Sequence, residues 1–304
     1  MSIDTQEVRQ PWTILRLLQW TTSYFKRHAI DQARLDAEAL LAHTLKCRRI
    51  ELYMSYDQPL VADELKRFKT LLKRRIARCP VAYILGEKEF WSLNLKVTPD
   101  VLIPRPETEC LVETVLSAHG ADTPLNVLEL GTGSGAITIA LACERPDWHF
   151  VATDISGQAI AIARHNALRH GVEAQIDFHK GSWFKALDQL HLRFDLIVSN
   201  PPYIASADLA GLEPEIREYE PTGALDGGPR GLDCIDHLIR ATPGYLTPNG
   251  DLVLEIGSGQ AAAVENFGLA GGEYQQIAIT RDYSNLDRVA WLRLRPSGKS
   301  YKIV

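Results

Sequence analysis

The tetrapeptide Asn200-Pro201-Pro202-Tyr203 follows Phe194-Asp195-Leu196-Ile197-Val198-Ser199, a short apolar run that reads as a buried strand. Two consecutive prolines remove two backbone donors and fix two φ angles, so strand pairing stops there. The Asn200 side-chain oxygen and the Pro201 carbonyl then form a pair of acceptors on a stiff backbone, with Pro202 and the Tyr203 ring beside them. A planar NH2 group fits such a place, because it needs two acceptors in its plane and a flat surface against its face. Asn200, Pro201 and Tyr203 are the candidate catalytic residues, and together with Pro202 they are the candidate substrate-binding residues.

A second constellation lies upstream. Val127-Leu128-Glu129-Leu130 runs into Gly131-Thr132-Gly133-Ser134-Gly135 and then Ala136, which reads as a strand, a glycine turn and a helix start. Glycines at alternate positions let a ligand approach the backbone with no Cβ in the way, and the helix N-terminus behind them favours an anionic group. Asp154 closes the next strand, 19 residues after Gly135. A carboxylate there can accept both hydroxyls of a ribose. The pattern indicates an adenosine-containing cofactor without saying which, since Gly131, Gly133 and Ala136 also satisfy the dinucleotide pattern G-x-G-x-x-G/A. Two features favour S-adenosylmethionine over a nicotinamide. The Asn-Pro-Pro-Tyr turn offers an amino-group pocket and no hydride or proton relay, and Trp183, just after the third strand, can pack on an adenine ring. The expected cofactor-binding residues are therefore Gly131, Thr132, Gly133, Ser134, Gly135, Asp154, Trp183 and Asn200. Glu129 and Glu255, near strand ends, are placed to answer a sulfonium charge, although ordinary supporting roles are the plainer expectation. The five cysteines are scattered without a CxxC pair and the nine histidines show no ligand spacing, so no metal site is expected.

The elements that must position these residues change character along the chain. Residues 12–78 read as all-helical. A first helix runs from Trp12 to Phe25, with apolar residues at Ile14, Leu15, Leu17, Leu18 and Trp20. A second, which Asp31 could cap, turns Leu35, Ala39, Leu40 and Leu41 inward. A third covers Arg49 to Tyr56. A fourth, Asp63 to Arg78, sets Leu65, Phe68, Leu72 and Ile76 on one stripe and Lys66, Arg67, Lys73, Arg74 and Arg78 mainly on the other. Glu89-Phe90-Trp91 and Leu93 to Val97 read as a hairpin ended by Pro99. The linker Ile103-Pro104-Arg105-Pro106-Glu107-Thr108-Glu109 is stiffened by its prolines, and Glu107 or Thr108 opens a helix to about His119. From Asn126 strands alternate with helices: strands at Val127–Leu130, His149–Thr153, Ala174–His179, Phe194–Ser199 and Asp251–Ile256, helices at 135–143, 156–170, 232–246 and 259–267. Two last strands, Tyr274–Thr280 and Arg288–Arg293, are joined by a turn and expected as an antiparallel pair at the sheet edge. The fold class is α/β: a doubly wound, mostly parallel seven-stranded sheet with its ligands outside the strands' carboxyl ends, preceded by a small helical domain. The expected organisation is a helical substrate-recognition domain over 1–80, a β-hairpin and linker over 81–106, and the catalytic domain over 107–304.

Composition sets the outer bounds. With 304 residues, 45% hydrophobic and 23% charged, the chain has the make-up of a soluble two-domain protein. No apolar run approaches the length of a membrane span, and the N-terminal residues lack a signal-peptide core; with its unpaired cysteines, a cytoplasmic protein is expected. The net charge of −5 conceals an asymmetry: residues 1–80 carry 15 Lys/Arg against 9 Asp/Glu, and the remainder 18 against 29. A basic front suits an acidic partner, either nucleic acid or an acidic protein face.

Taken together, Gly131–Gly135, Asp154, Trp183 and Asn200-Pro201-Pro202-Tyr203-Ile204 resemble an amino-methylating class I methyltransferase. Residues 103–109, the stretch from Glu220-Pro221 through Ala224-Leu225 to Gly231-Leu232, and the helical front narrow this to a resemblance to the HemK/PrmC family, the release factor glutamine methyltransferases. The resemblance spans about residues 12 to 295, with no departure at its motif positions. It implies methyl transfer from S-adenosylmethionine to the side-chain amide nitrogen of the glutamine in the GGQ loop of class I peptide-chain release factors. On that reading the chemistry of the turn leads us to expect that Asn200 and Pro201 hold both N–H bonds of the amide while Tyr203 packs on it. No nucleic acid is then required, and a monomer is the expected state. The competing expectations are a ribosomal-protein glutamine methyltransferase, a nucleic-acid exocyclic-amino methyltransferase, an NAD-dependent oxidoreductase and a non-catalytic adenosine-binding adaptor. The acidic catalytic half argues against a long phosphate track.

Overall fold

The computed structural model describes residues 11–187 and 192–296; the N-terminal stretch read for a signal core lies largely outside them, as do the last eight residues assigned above to the catalytic domain. The chain divides into two compact units, residues 1–86 and 87–304.

The first unit is helical: α1 Ile14–Arg27, α2 Ala33–Leu45, α3 Arg49–Met54, α4 Ala62–Ile76 and α5 Val81–Leu85. Thr13 caps α1 by accepting from the Arg16 N–H at 3.4 Å, and Ile14, Leu17, Leu18 and Phe25 face inward with Leu40, Leu41, Phe68 and Leu72. Three expectations are corrected. Asp31 does not cap α2, whose N-cap is Gln32 without a side-chain bond. Leu35 points outward at 41% exposure, because the inward positions of α2 also hold Asp36 and Glu38. Those two carboxylates are tolerated inside because they are paired: Asp36 with Arg75 at 2.7 Å, and Glu38 with Arg34, Arg49 and the Tyr53 hydroxyl. The third helix stops at Met54, short of Tyr56. On α4, Lys66, Arg67, Lys73 and Arg74 are all exposed, and Arg74 also donates to the carbonyls of Tyr83 and Ile84.

The second unit opens with a hairpin, β1 Glu87–Phe90 and β2 Leu93–Lys96, whose pairing ends at Phe90 opposite Leu93. Trp91 and Ser92 both have positive φ, 51° and 59°. They form a two-residue turn of the kind that suits hairpin twist, which is why Trp91 leaves the strand expected for it. Then follow α6 Glu109–Ala118, β3 Asn126–Leu130, α7 Ala136–Glu144, β4 His149–Asp154, α8 Gly157–Arg169, β5 Ile176–Lys180, β6 Phe194–Ser199, α9 Pro214–Tyr219, α10 Asp233–Ala241, β7 Leu246–Glu255, α11 Ala261–Ala270, β8 Tyr274–Arg281 and β9 Asp287–Leu294. The sheet order is β5-β4-β3-β6-β7-β9-β8, with β9 antiparallel to both neighbours and the other pairings parallel. This is the doubly wound seven-stranded sheet expected, with its antiparallel pair at one edge. One face packs Phe90, Leu111, Ile139, Ala140 and Trp148 over the sheet, and the other packs Ile235, Leu238, Ile239 and Val264. The helix expected over 232–246 is shorter: Thr242-Pro243-Gly244 breaks it into a 3-10 turn, and β7 starts at Leu246. The third strand of this unit's parallel set starts at Ile176 because residues 173–175 are 3-10.

Because β3 and β6 are neighbours, with Glu129 opposite Val198, the glycine turn and the Asn-Pro-Pro-Tyr turn leave the sheet side by side at its carboxyl end. Among the described residues no helix is long and apolar enough to cross a membrane.

Candidate active site

A cavity of about 600 Å³ opens at that end of the sheet, within the range of small-molecule sites of roughly 300–1,000 Å³. Gly131, Thr132, Gly133, Ser134, Asp154, Trp183, Asn200 and Pro202 line it. Gly131 and Gly133 have φ of +77° and +56°, a conformation that costs other residues a steric penalty. No atom stands within 4 Å of where a Cβ on Gly133 would project, so the turn offers bare backbone to a ligand. The Gly131 and Thr132 N–H groups both donate to the Thr153 carbonyl at 2.9 Å, which ties the turn to β4. Gly135 does not line the cavity. Its φ is +84°, and a Cβ there would come within 2.7 Å of Ile139 Cδ1 and 3.2 Å of Ala163 Cβ, so it lets α7 begin close against α8.

Asp154 takes one backbone N–H on each oxygen, from Gly133 at 2.9 Å and from Ser156 at 2.8 Å. A carboxylate has about four lone-pair sites, so acceptor capacity remains on the side that faces the cavity. Burial pushes the Asp154 carboxyl above the usual aspartate value, opposed by the N–H groups of Ser156, Gly133 and Ile155. The Trp183 ring stands over the glycine turn, 3.9 Å from a Cβ built on Gly131, and its own φ is +50°. Glu129 is buried beneath the turn and accepts from the hydroxyls of Thr132 and Thr138; burial raises its carboxyl to about 7.

On the other side, Ser199 anchors the end of β6 by donating to the Leu130 carbonyl at 2.6 Å. Among the described residues, neither Asn200 Oδ1 nor the Pro201 carbonyl accepts a hydrogen bond. Asn200 Nδ2 donates to Thr108 Oγ1 at 3.2 Å, Thr108 Oγ1 donates to Glu255 Oε2 at 2.6 Å, and the Tyr203 hydroxyl donates to Glu255 Oε1 at 3.2 Å. Burial raises the Glu255 carboxyl, opposed by Thr108, Arg288 and Tyr203, and burial with the neighbouring Glu255 charge raises the Tyr203 phenol. Asn200 and Pro202 line the cavity, whereas Pro201 and Tyr203 do not.

Several supporting residues were not singled out by chemistry in the sequence. The Glu220 carboxylate takes the Ile103 N–H at 3.2 Å and Arg105 at 2.6 Å, clamping the proline linker so that Thr108 reaches the site. Gly227 and Gly231 lie against the Asn-Pro-Pro-Tyr backbone: a Cβ on Gly227 would be 2.8 Å from the Pro202 carbonyl oxygen, and one on Gly231 would overlap the Tyr203 carbonyl oxygen. Gln260 donates to the carbonyls of both Tyr203 and Gly231 at 3.0 Å. Asn166, fully buried on α8, holds Lys96 of β2 and the Ser134 carbonyl. The paired glycines of 227–231 were a signal for close backbone approach; Gln260 and Asn166 carried none.

The sheet order, the glycine turn and the neighbouring polar turn define a class I methyltransferase. Residues 16–86 match a PrmC N-terminal domain and residues 121–238 a methyltransferase domain. The release factor glutamine methyltransferase of Geobacter sulfurreducens is 45% identical over 93% of this chain and 97% of its own length, and that of Rhodopirellula baltica 38% over 92% and 95%. The chain belongs to the release factor glutamine methyltransferase family. Among solved structures, the hMettl16 catalytic domain in complex with an RNA hairpin superposes with a TM-score of 0.55 at 16% identity, covering 75% of this chain and 84% of that one. A methyltransferase from Pyrococcus furiosus gives 0.50 at 17%, covering 75% and 98%. These two likenesses concern the fold alone.

Proposed function

We propose that this chain transfers the methyl group of S-adenosylmethionine to the side-chain amide nitrogen of the glutamine in the GGQ motif of class I peptide-chain release factors. The observation that carries the reading is the uncommitted acceptor Asn200 Oδ1 on a residue that lines a glycine-bearing cavity, with the uncommitted Pro201 carbonyl next to it in the same turn. The residues present fit the cofactor: Gly131 and Gly133 offer backbone without side chains, Asp154 has lone pairs for the ribose hydroxyls, and Trp183 has a face for the adenine. Once bound, the cofactor supplies an electrophilic methyl group on a sulfonium.

A carboxamide nitrogen is a weak nucleophile because its lone pair is delocalised into the carbonyl. Asn200 Oδ1 and the Pro201 carbonyl accept its two N–H bonds, fix its plane and favour a tetrahedral nitrogen, while the Tyr203 ring backs the flat amide. No side chain has to remove a proton first, since the nitrogen becomes acidic on alkylation and can release its proton along the bonds already made to these acceptors. Catalysis on this account is positioning, an effect that reaches roughly 7–11 kcal/mol in favourable cases. Residues 1–80 recognise the protein substrate, with the hairpin and linker (81–106) joining them to the catalytic residues 107–304. The enzyme acts as a cytoplasmic monomer.

A direct comparison of substrates tests the assignment. Turnover of a purified class I release factor should exceed that of ribosomal-protein glutamine by kcat/KM, with the methyl located on the GGQ glutamine by peptide mass spectrometry. Equal or better turnover of the ribosomal protein would transfer the assignment to that substrate.

A further inference from the structure

An asparagine amide accepts through one end and donates through the other, so Asn200 can hold a substrate N–H only if its oxygen faces outward. What decides this is Thr108, 92 residues earlier in the chain. A hydroxyl has one proton to give. Thr108 Oγ1 lies 2.6 Å from Oε2 of Glu255 and 3.2 Å from Asn200 Nδ2. Glu255 is buried at 1% exposure and accepts on both oxygens, from the Thr108 hydroxyl on Oε2 and the Tyr203 hydroxyl on Oε1. The Thr108 proton is therefore committed to Glu255, and Thr108 Oγ1 can only accept from Asn200. The end of Asn200 that faces Thr108 must then be the NH2, which leaves Oδ1 for the substrate. The same carboxyl takes the Tyr203 hydroxyl on its other oxygen at 3.2 Å, so one buried acidic side chain holds both Thr108 and Tyr203. Thr108 itself is 4% exposed and is brought here by the linker that Glu220 clamps.

We propose that Thr108 is a positioning residue whose hydroxyl, held by Glu255, locks the Asn200 side chain with its oxygen towards the substrate amide. The inference rests on the reading of Asn200 as the acceptor given under the proposed function. Removing the lock leaves Asn200 in place but free to flip, and a flipped Asn200 offers a donor to a donor.

The test compares Thr108→Val, Thr108→Ser, Asn200→Ala and the Thr108→Val/Asn200→Ala double variant, with Thr108→Ala as a second deletion of the hydroxyl should Val not fold. Each is assayed for kcat and KM on the release factor, for S-adenosylmethionine affinity and for Tm. Thr108→Val should lower kcat by roughly tenfold or more, with cofactor affinity within about twofold, and Thr108→Ser should recover most of the loss. In the Asn200→Ala background Thr108→Val should cost nothing further, because residues acting through one another are not additive. Wild-type kcat in Thr108→Val, a serine variant as poor as valine, or a full additive loss in the double variant would overturn the lock. Failure of the wild-type chain to methylate the release factor would instead overturn the proposed function.

Discussion

Under the proposed function the Asp154 carboxylate and the Asn200 amide, both lining the cavity, do different work, and single substitutions should separate them. Asn200→Ala removes an acceptor needed only when the substrate amide is being positioned, so kcat should fall by on the order of 100-fold while cofactor affinity changes little. Asp154→Ala removes two charge-assisted hydrogen bonds of roughly 1.5–3 kcal/mol each. Cofactor Kd should rise by about 100-fold or more, with the smaller effect on kcat at saturation. Titration calorimetry beside steady-state kinetics reads both, and equal losses in both parameters for Asn200→Ala would count against its role. Glu129 supplies a pH signature. Its folded value of about 7 lies above an unfolded glutamate near 4.3, so between those values the folded protein keeps a proton the unfolded chain has released. The stability this contributes is present in full below about pH 4.3 and is lost as pH rises through about 7, a swing on the order of 3 kcal/mol. Glu129→Gln is neutral throughout, so its Tm relative to the parent should climb between roughly pH 4 and 7 and level off above. A flat difference would contradict the buried, proton-holding carboxyl.

At the scale of elements, the site depends on segments that hold the two turns rather than on the turns alone. Gly227→Ala places a methyl 2.8 Å from the Pro202 carbonyl oxygen and the Tyr203 Cα, both of them backbone that cannot swing away. It should displace the Asn-Pro-Pro-Tyr turn, cost about 1–3 kcal/mol of stability and reduce kcat far more than cofactor affinity, as thermal melts and kinetics together would show. This dependence also explains what the sequence could and could not convey. The β3 and β4 strands, the glycine turn, Asp154 and the proline turn were legible because their signals are local: apolar runs of fixed length, positive-φ residues, missing donors. The hairpin ends and the helix at 232–246 were misplaced because Trp91-Ser92 adopts a left-handed turn without glycine, and because Leu246 continues past Gly250 in β7. Leu35, expected inward, faces out while Asp36 beside it is buried, because an ion pair formed across 39 residues overrode hydrophobic periodicity. Thr108, Glu220 and Gln260 meet their partners only through tertiary folding, and no local pattern marks them.

Over the whole molecule, the chain divides into two compact units, 1–86 and 87–304, of opposite net charge. The front carries an excess of six cationic groups and the rest an excess of eleven anionic ones. That distribution favours an acidic docking face over a long nucleic-acid track, and it leaves a protein substrate as the natural partner of a site built for a planar amide. The most direct test is transfer of label from methyl-labelled S-adenosylmethionine to a purified class I release factor. The same factor with its GGQ glutamine changed to alanine, total rRNA and DNA are run in parallel. The account predicts label on the intact release factor and none on the alanine variant or the nucleic acids. Label on RNA or DNA, or undiminished label on the alanine variant, would contradict it.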